Sequence, residues 1–258
     1  MRKFFVTLIT LFSVLFTGLN MAQAESRLQK ILSEGVLRVG TTGDFNPVSI
    51  KDPKTKEYKG FDIDLVTQLA QDLNVELELV PTDWKTLVNG VLADKYDMTT
   101  SASITPARAM VAGYSDPYIY FGTVPMALKE NAGKYSSWAD IDQDGITVAV
   151  TLGTSFEGQA EAFFQHATIK KVENPAREYQ EVLAGRADVS LTSNIEAASL
   201  QQTYSNLSVI STDAPLTSAP GAFLVAQDDQ VWINYLNHWI KKSQSNGMIE
   251  KNYNKWFK

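Results

Sequence analysis

Short apolar stretches recur along the first half of the chain and alternate with apolar residues at helical spacing. Residues 36–39 and 75–80 have the pattern of strands. One helical face lies between them, formed by Leu65, Val66, Leu69, Ala70 and Leu73. We expect Asp62 to cap this helix at its N-terminus. Strands that alternate with helices predict mostly parallel sheets with helices on both faces.

The second half repeats this order. Strands are predicted at residues 146–150, 169–172 and 189–192, with a helix at 177–184. Another helical face follows the first of these strands and contains Phe156, Ala160, Phe163 and Phe164. A last helix, which we expect to end at Gly247, has its apolar face at Val231, Trp232, Tyr235, Leu236, Trp239 and Ile240.

Two turn-rich segments, residues 131–137 and 212–220, mark the ends of a block of alternating strands and helices. The pattern predicts an α/β protein of two lobes, the second inserted into the first, with crossovers near residues 122–128 and 219–226. We assign residues 25–124 and 222–258 to lobe 1 and residues 125–221 to lobe 2. Ligands of such assemblies bind between the lobes, at the carboxyl ends of the strands.

The N-terminus has the pattern of a secretory signal peptide. Arg2 and Lys3 precede the nearly continuous apolar stretch 4–19, and Ala22-Gln23-Ala24 has the small residues of a cleavage site. A membrane anchor is the alternative, but the apolar stretch is short for a bilayer span. We therefore expect residues 1–24 to be removed on export.

Composition excludes several classes of function. The chain has no Cys and two His, so thiolate chemistry, Cys metal sites and His-rich metal sites are ruled out. Its net charge of -6 argues against a nucleic-acid partner. Asp140, Asp142 and Asp144 have the spacing of a calcium loop, but its twelfth position is Thr151, so we interpret this segment as a turn. We expect neither a metal nor a cofactor.

Four segments carry a resemblance to a known family. They are residues 34–41 (EGVLRVGT), 60–65 (GFDIDL), 103–118 (SITPAR followed by YSDPY) and 185–188 (GRAD). The chain resembles the family 3 periplasmic solute-binding proteins of ABC transporters. This resemblance implies a type II fold with two hinge crossovers, a small carboxylate-bearing ligand, a periplasmic location, a membrane permease as partner and a monomeric state.

Within that family, the chain is most similar to the cyclohexadienyl dehydratase subgroup. The similarity rests on residues 25–28, 41–47 and 194–197 together with Trp84. Two hypotheses about function follow. The chain is expected to be the binding component of an importer, and the alternative is a secreted dehydratase that acts on prephenate or arogenate.

The resemblance also implies a binding site. Arg108 corresponds to the arginine with which family members bind the ligand carboxylate, a role that suits a planar guanidinium because it can donate to two oxygens at once. The alternative is an ordinary surface arginine. Ser101 and Ser103 would donate to the same carboxylate. Phe45 and Trp84 would form aromatic walls, although such residues are more often core.

Gly153, Thr154 and Ser155 follow a predicted strand and begin a helix. We expect their free backbone N-H groups to face the cleft, where a helix N-terminus attracts anions; an ordinary helix cap is the alternative.

Glu196 corresponds to the acid that the dehydratase uses to protonate a departing hydroxyl; without the family it would be read as an exposed helix residue. Two departures weaken the enzymatic hypothesis. Ser193 and Asn194 stand where relatives carry an aspartate, and Thr123 stands where the dehydratase has a lysine. These three positions complete the predicted ligand-binding set.

Overall fold

The computed structural model describes residues 25–258, so the predicted signal peptide lies outside the described residues. The strands of this part are β1 Val36–Thr41, β2 Asp44–Phe45, β3 Ser49–Lys51, β4 Tyr58–Lys59, β5 Glu76–Pro81, β6 Met98–Ser103, β7 Gly113–Tyr114, β8 Ile119–Leu128, β9 Thr147–Thr151, β10 Thr168–Val172, β11 Val189–Ser193, β12 Leu207–Val209 and β13 Ser218–Val225. The helices are α1 Arg27–Glu34, α2 Phe61–Leu73, α3 Leu87–Leu92, α4 Pro106–Ala109, α5 Lys129–Ala132, α6 Trp138–Ile141, α7 Ser155–Phe163, α8 Glu178–Leu183, α9 Asn194–Thr203, α10 Gln230–Ser245 and α11 Met248–Phe257.

The main sheet has the strand order β10-β9-β11-β8-β13-β6-β1-β5, with β12 added beside β8 and β7 beside β13. Strand β1 pairs in parallel with β5 and β6, and β9 pairs in parallel with β10 and β11. We call the part built on β1, β5 and β6 lobe 1 and the part built on β9, β10 and β11 lobe 2. The small sheet β2-β3-β4 belongs to lobe 1.

Strands β8 and β13 join the two lobes. They pair with each other in antiparallel orientation, β8 continues to β11 in lobe 2, and β13 continues to β6 in lobe 1. These two strands lie where the sequence predicts the crossovers, and the architecture is the predicted two-lobed α/β fold. The residue boundaries that we assigned to the lobes stay a prediction.

Each lobe has its own apolar core because the central parallel strands are covered by helices on both faces. In lobe 1, β1 buries Leu37 and Val39 completely, and helices α2 and α10 pack around them through Leu65 and Leu236. In lobe 2, Val148, Ala149 and Val150 of β9 are all buried. A run of consecutive buried apolar residues is what a strand covered on both faces requires.

One predicted helix cap is wrong, and one helix was not predicted. Gly60, not Asp62, caps α2, and Asp62 lies inside the helix, where it is buried. Helix α10 ends at Ser245 and Gly247 follows its C-cap Asn246, as expected, but a further helix, α11, begins directly after Gly247 and was not predicted. Gly247 adopts φ 77°, so the chain turns there and starts again as a helix.

The two turn-rich segments contain more regular structure than expected. Helix α5 extends to Ala132, and β13 begins at Ser218. The acidic segment 140–144 includes the end of α6, and the carboxylate of Asp142 accepts backbone hydrogen bonds from residues 165–167. Within residues 25–258, the helices are too short or too polar to cross a bilayer.

Candidate functional site

A cavity lies between the lobes, at the carboxyl ends of β6, β9 and β11. Parallel strands present these ends at the same edge of a sheet, so the segments that follow them meet there. The cavity is lined by Phe45, Trp84, Ser101, Ser103, Arg108, Phe121, Thr154, Ser155, Phe156, Arg177 and Glu196. Eight of these residues belong to the set predicted from the sequence.

Arg108 forms the lobe 1 side of this cavity. It lies in α4, directly after β6, and Thr105 caps that helix by accepting the Arg108 N-H. Its Nη1 donates to the carbonyl of Ser103 at 3.2 Å, and its Nη2 reaches across to the carbonyl of Gly153 in lobe 2 at 2.9 Å. Burial lowers the pKa of Arg108, yet a guanidinium keeps its charge at neutral pH.

Ser101 enters the cavity from a strained position inside β6. Its φ of 44° is unusual for a residue with a side chain. The backbone N-H of Ser101 donates to the Tyr118 hydroxyl at 2.7 Å, and that hydroxyl donates to Oδ1 of Asp62 at 3.0 Å. Burial raises the pKa of Asp62 to about 6, against the opposing effect of its hydrogen bonds. A buried acid and a tyrosine thus support the turn that presents Ser101.

Three aromatic rings form one apolar side of the cavity. Phe45 meets Trp84 edge to face at a centroid distance of 5.8 Å and lies 5.4 Å from Phe121. The indole N-H of Trp84 donates to Oδ1 of Asp44 at 3.1 Å, which fixes the ring. Phe45 and Trp84 were predicted from the sequence, but Phe121 was not, because its place on the crossover strand β8 gave no signal.

The start of α7 forms part of the lobe 2 side, but its backbone is not free as predicted. Gly153 N-H donates to a carboxylate oxygen of Glu157 at 2.7 Å, and Thr154 N-H donates to the carbonyl of Thr151 at 3.3 Å. Ser155 Oγ donates to Ser103 Oγ across the cleft at 3.1 Å. This segment therefore contributes the carbonyl of Gly153 and two hydroxyl side chains, and two of the three N-H groups expected to be free are already paired.

Glu196 lies in the first turn of α9 and is 1% exposed. Its Oε2 accepts from Thr192 Oγ1 at 2.5 Å and from Nη2 of Arg177 at 2.9 Å. Burial raises the pKa of Glu196 to about 7, although the positive charge of Arg177 opposes this rise. The exposed helix glutamate, which was the alternative interpretation, is excluded.

Arg177 was missed by the sequence analysis. It caps α8, is buried, and donates from Nε to Glu178 at 3.0 Å as well as to Glu196. It also reaches lobe 1, where Nη1 donates to the backbone carbonyl of Asp44 and lies 3.4 Å from the Asp44 carboxylate. Burial disfavours its charge, but the three carboxylates raise its pKa well above the usual range. The available signal was an arginine at the start of the predicted helix 177–184, and two of its partners, Glu196 and Asp44, are distant in sequence.

Besides Gly153, three predicted binding residues lie outside the cavity lining. Thr123 is buried and donates to Gln159 at 2.6 Å, and Asn194 accepts the backbone N-H of Gly122 at 2.9 Å. Ser193 is also buried and caps α9 by accepting the N-H of Glu196 at 3.0 Å. These residues join strands or start a helix instead of facing the cavity.

The lobes contact each other around this cavity. Gly153 lies against the backbone of Lys85, so closely that a Cβ atom on it would lie 2.5 Å from Lys85 N. Asn174 donates to Asp44 at 3.1 Å, and Lys85 pairs with Glu173 at 3.0 Å at the exposed rim. A ligand in this arrangement is enclosed by both lobes. Among the described residues, no group of three or more His, Asp or Glu side chains is placed to hold a metal ion.

This fold, with its enclosed cavity between two lobes, is that of the type II periplasmic binding proteins. The sequence profile of the bacterial extracellular solute-binding proteins, family 3, matches residues 37–258. The chain therefore belongs to this family.

Particular relatives differ in function. The chain is 31% identical to cyclohexadienyl dehydratase of Pseudomonas aeruginosa over 245 residues, which cover 94% of this chain and 90% of the enzyme. It is 26% identical to the L-cystine-binding protein TcyJ of Escherichia coli K12 over 90% of this chain and 86% of that protein. It is similar in structure to the ancestral amino acid-binding protein AncCDT-1, a precursor of cyclohexadienyl dehydratase, with a TM-score of 0.83 and 38% identity over 90% of this chain and 100% of that chain. Both binding proteins and an enzyme are thus among its relatives.

Proposed function

We propose that the protein is the periplasmic binding component of an ABC importer and captures a small carboxylate-bearing solute between its lobes. The observation that carries this proposal is the position of Arg108, which lines the cavity from lobe 1 while touching lobe 2 through Gly153. A carboxylate bound by this guanidinium is held where the lobes meet. The protein is a monomer that presents the enclosed ligand to a membrane permease.

The ligand is a carboxylate that lacks an α-ammonium group or carries its cation elsewhere. An α-ammonium needs an anionic acceptor, and Ser193 and Asn194 supply none. Glu196 is already paired with Arg177. Ordinary amino acids therefore bind poorly.

Mass spectrometry of the compound that copurifies with the protein, followed by calorimetry with that compound, tests this function. We expect one small carboxylate, bound at 1:1 stoichiometry. A thermal-shift screen of matched acids, each with and without an α-ammonium group, tests the ligand class. Submicromolar binding of several common amino acids would exclude it.

A dehydratase is the second candidate, because Glu196 combines burial, a raised pKa and a place in the cavity lining. In that reaction, Arg108 holds a carboxylate while the C-CO2 bond of prephenate breaks and its electron pair completes the aromatic ring. The C-O bond to the ring hydroxyl breaks at the same time, and Glu196 supplies the proton that makes water the leaving group.

Two observations favour the binding protein over the enzyme. The hydrogen bonds from Arg177 and Thr192 favour the charged form of Glu196, so they oppose the rise in its pKa and the protonated state that a general acid needs. Thr123 brings no positive charge and is bonded to Gln159.

Release of phenylpyruvate from prephenate distinguishes the two functions, with Glu196→Gln as the control that keeps size and removes the acid. We expect no turnover above the spontaneous rate in either protein. Efficient turnover by the wild type that this substitution abolishes would replace the binding function by the enzymatic one.

A further inference from the structure

Two buried carboxylates of lobe 2 share a cation that the chain itself provides. Glu178 and Glu196 are each 1% exposed, and Arg177, which is 5% exposed, donates to both of them. Arg177 also lines the cavity between the lobes. Arg177 and Glu196 are thus part of the cavity lining, and Glu178 is bound to it through Arg177.

The arrangement has the geometry of a guanidinium-binding pocket. A planar guanidinium can donate from several edges at once, and here Nε faces Glu178, Nη2 faces Glu196 and Nη1 faces Asp44. Thr151 donates to Glu178 and Thr192 donates to Glu196, which holds both acids in place. Because buried carboxylates are strongly disfavoured without a cation, this pocket demands one.

A ligand with a cationic end would compete with Arg177 for the same acids. It would either meet the positive charge of Arg177 or have to displace a side chain that is covalently attached and therefore always present. Ligands with a neutral far end avoid this cost. Burial also raises the pKa of Glu196, so Glu196 can hold a proton and a single guanidinium then balances the pair.

We propose that Arg177 is a specificity-determining residue, a tethered cation that fills the acidic pocket of Glu178 and Glu196 and excludes ligands with a cationic end. The admitted ligands are carboxylates that Arg108 binds at one end and that are uncharged at the other. This inference rests on the proposed function, since it concerns which ligands the same cleft accepts.

Chemical rescue of Arg177→Ala is the first test. Methylguanidinium, at millimolar concentration, should raise the Tm of this variant by about 3 °C or more and leave the wild type unchanged. N-Methylurea, which has a similar shape and no charge, should have no such effect. Arg186→Ala removes an exposed arginine paired with Glu181 and serves as the matched control, for which we expect no rescue.

The second test measures exclusion directly with 4-guanidinobutanoate, a carboxylate with a guanidinium at its far end. Arg177→Ala should bind this compound at least about tenfold more tightly than the wild type does. Its uncharged analogue, 4-ureidobutanoate, should show no gain. When Glu196→Gln is added to Arg177→Ala, the gain in affinity for 4-guanidinobutanoate should be smaller, because one of the two acids is then lost.

Arg177→Ala leaves two buried carboxylates without their cation and is expected to fold weakly. The double variant Arg177→Ala with Glu178→Gln leaves a single acid and keeps the test possible, with the same expected preference for guanidinium over urea. If neither variant folds in the presence of methylguanidinium, or if both fold and show no preference, the inference is wrong.

The outcomes separate this inference from the proposed function. If the wild type binds carboxylates through Arg108 but Arg177→Ala gains no guanidinium binding, the function stands and the inference fails. If the rescue succeeds but no carboxylate binds the wild type, the proposed function fails and Arg177 still fills the acidic pocket.

Discussion

The lobe 1 wall of the cleft, which contains Arg108, and the lobe 2 wall, which contains Arg177, differ in whether their arginine is paired with carboxylates. On the lobe 1 wall, the guanidinium of Arg108 donates to the carbonyls of Ser103 and Gly153, which carry no full charge. On the lobe 2 wall, the guanidinium of Arg177 is neutralised by Glu178 and Glu196. Two arginines lining one cavity therefore differ in what they offer, and only the lobe 1 arginine keeps its positive charge available for an anion.

Because of this difference, we expect the two walls to contribute differently to ligand binding. An available positive charge attracts a carboxylate, so the lobe 1 wall contributes affinity. The buried cluster of Arg177, Glu178 and Glu196 attracts a ligand charge only weakly, but bringing a further charge beside it is unfavourable. The lobe 2 wall therefore contributes selectivity against ligands with a charged end. Substitutions in the two walls should consequently have different signatures, and the following four expectations test or refine this division.

Gly153→Ala tests whether the two lobes close on each other when the ligand binds. We expect it to cause the largest loss of ligand affinity. The added Cβ would lie 2.5 Å from backbone atoms of Lys85, so the lobes could no longer meet as they do. We expect ligand affinity to fall by about 3 kcal/mol, the upper end of the cost of overpacking. The φ of 83° should separately lower the stability of the free protein by about 1 kcal/mol.

Gly158→Ala is the matched control for that substitution. Gly158 lies in α7 only a few residues further on, and a Cβ there meets nothing within 4 Å. Calorimetry should show unchanged affinity for this variant. Equal affinity of both variants would mean that the contact between Gly153 and Lys85 does not form when the ligand binds.

Asp62, which supports Ser101 of the lobe 1 wall through Tyr118, predicts a pH dependence of stability. Burial raises the pKa of Asp62 to about 6, above its value in the unfolded chain, so the folded protein holds this proton more tightly. The free energy of unfolding should therefore decrease as the pH rises from about 4 to about 6, by up to about 3 kcal/mol from this group.

Asp62→Asn removes that titration while keeping the size of the side chain. Urea unfolding of wild type and variant across this pH range should show a smaller decrease for the variant. Parallel curves for the two proteins would show that Asp62 does not titrate in this range.

Arg108→Lys tests the available charge of the lobe 1 wall. A lysine keeps the charge but loses the planar pair of donors, so we expect ligand affinity to fall by about 1.5 to 3 kcal/mol. Thermal stability of the free protein should change little. Isothermal titration with the copurified ligand measures the loss, and an unchanged affinity would remove Arg108 from the site.

The smallest effect is expected from Ser155→Ala, which deletes a single hydrogen bond between the walls. Ser155 Oγ donates to Ser103 Oγ at 3.1 Å, and such a bond contributes about 1 kcal/mol. Affinity should fall by that amount, as measured by calorimetry. The exposed Ser205 provides the control, since Ser205→Ala should change nothing.

The outcomes for particular residues show how far the sequence determines the site. Arg108 and Ser103 were predicted from the resemblance to the family, and Ser155 was predicted because it follows a predicted strand and begins a helix; all three line the cavity. Ser193 also lies at a strand end but accepts a hydrogen bond from the backbone of α9, and Thr123, in the middle of β8, donates to Gln159. A strand end fixes where a residue lies and leaves open what its side chain touches.

The alternation of strands and helices by itself determined the two-lobed α/β architecture and the edge of the sheet at which the cavity forms, because apolar periodicity is a local property of the chain. Only the tertiary structure decided which charged side chains face the cavity unpaired and which are neutralised by a partner of opposite charge. Arg177 meets Glu196, 19 residues away, and Asp44, 133 residues away, and nothing local to Arg177 encodes either contact. Long-range pairs of this kind depend on how the lobes pack, and burial then amplifies their electrostatic effect because water no longer screens them.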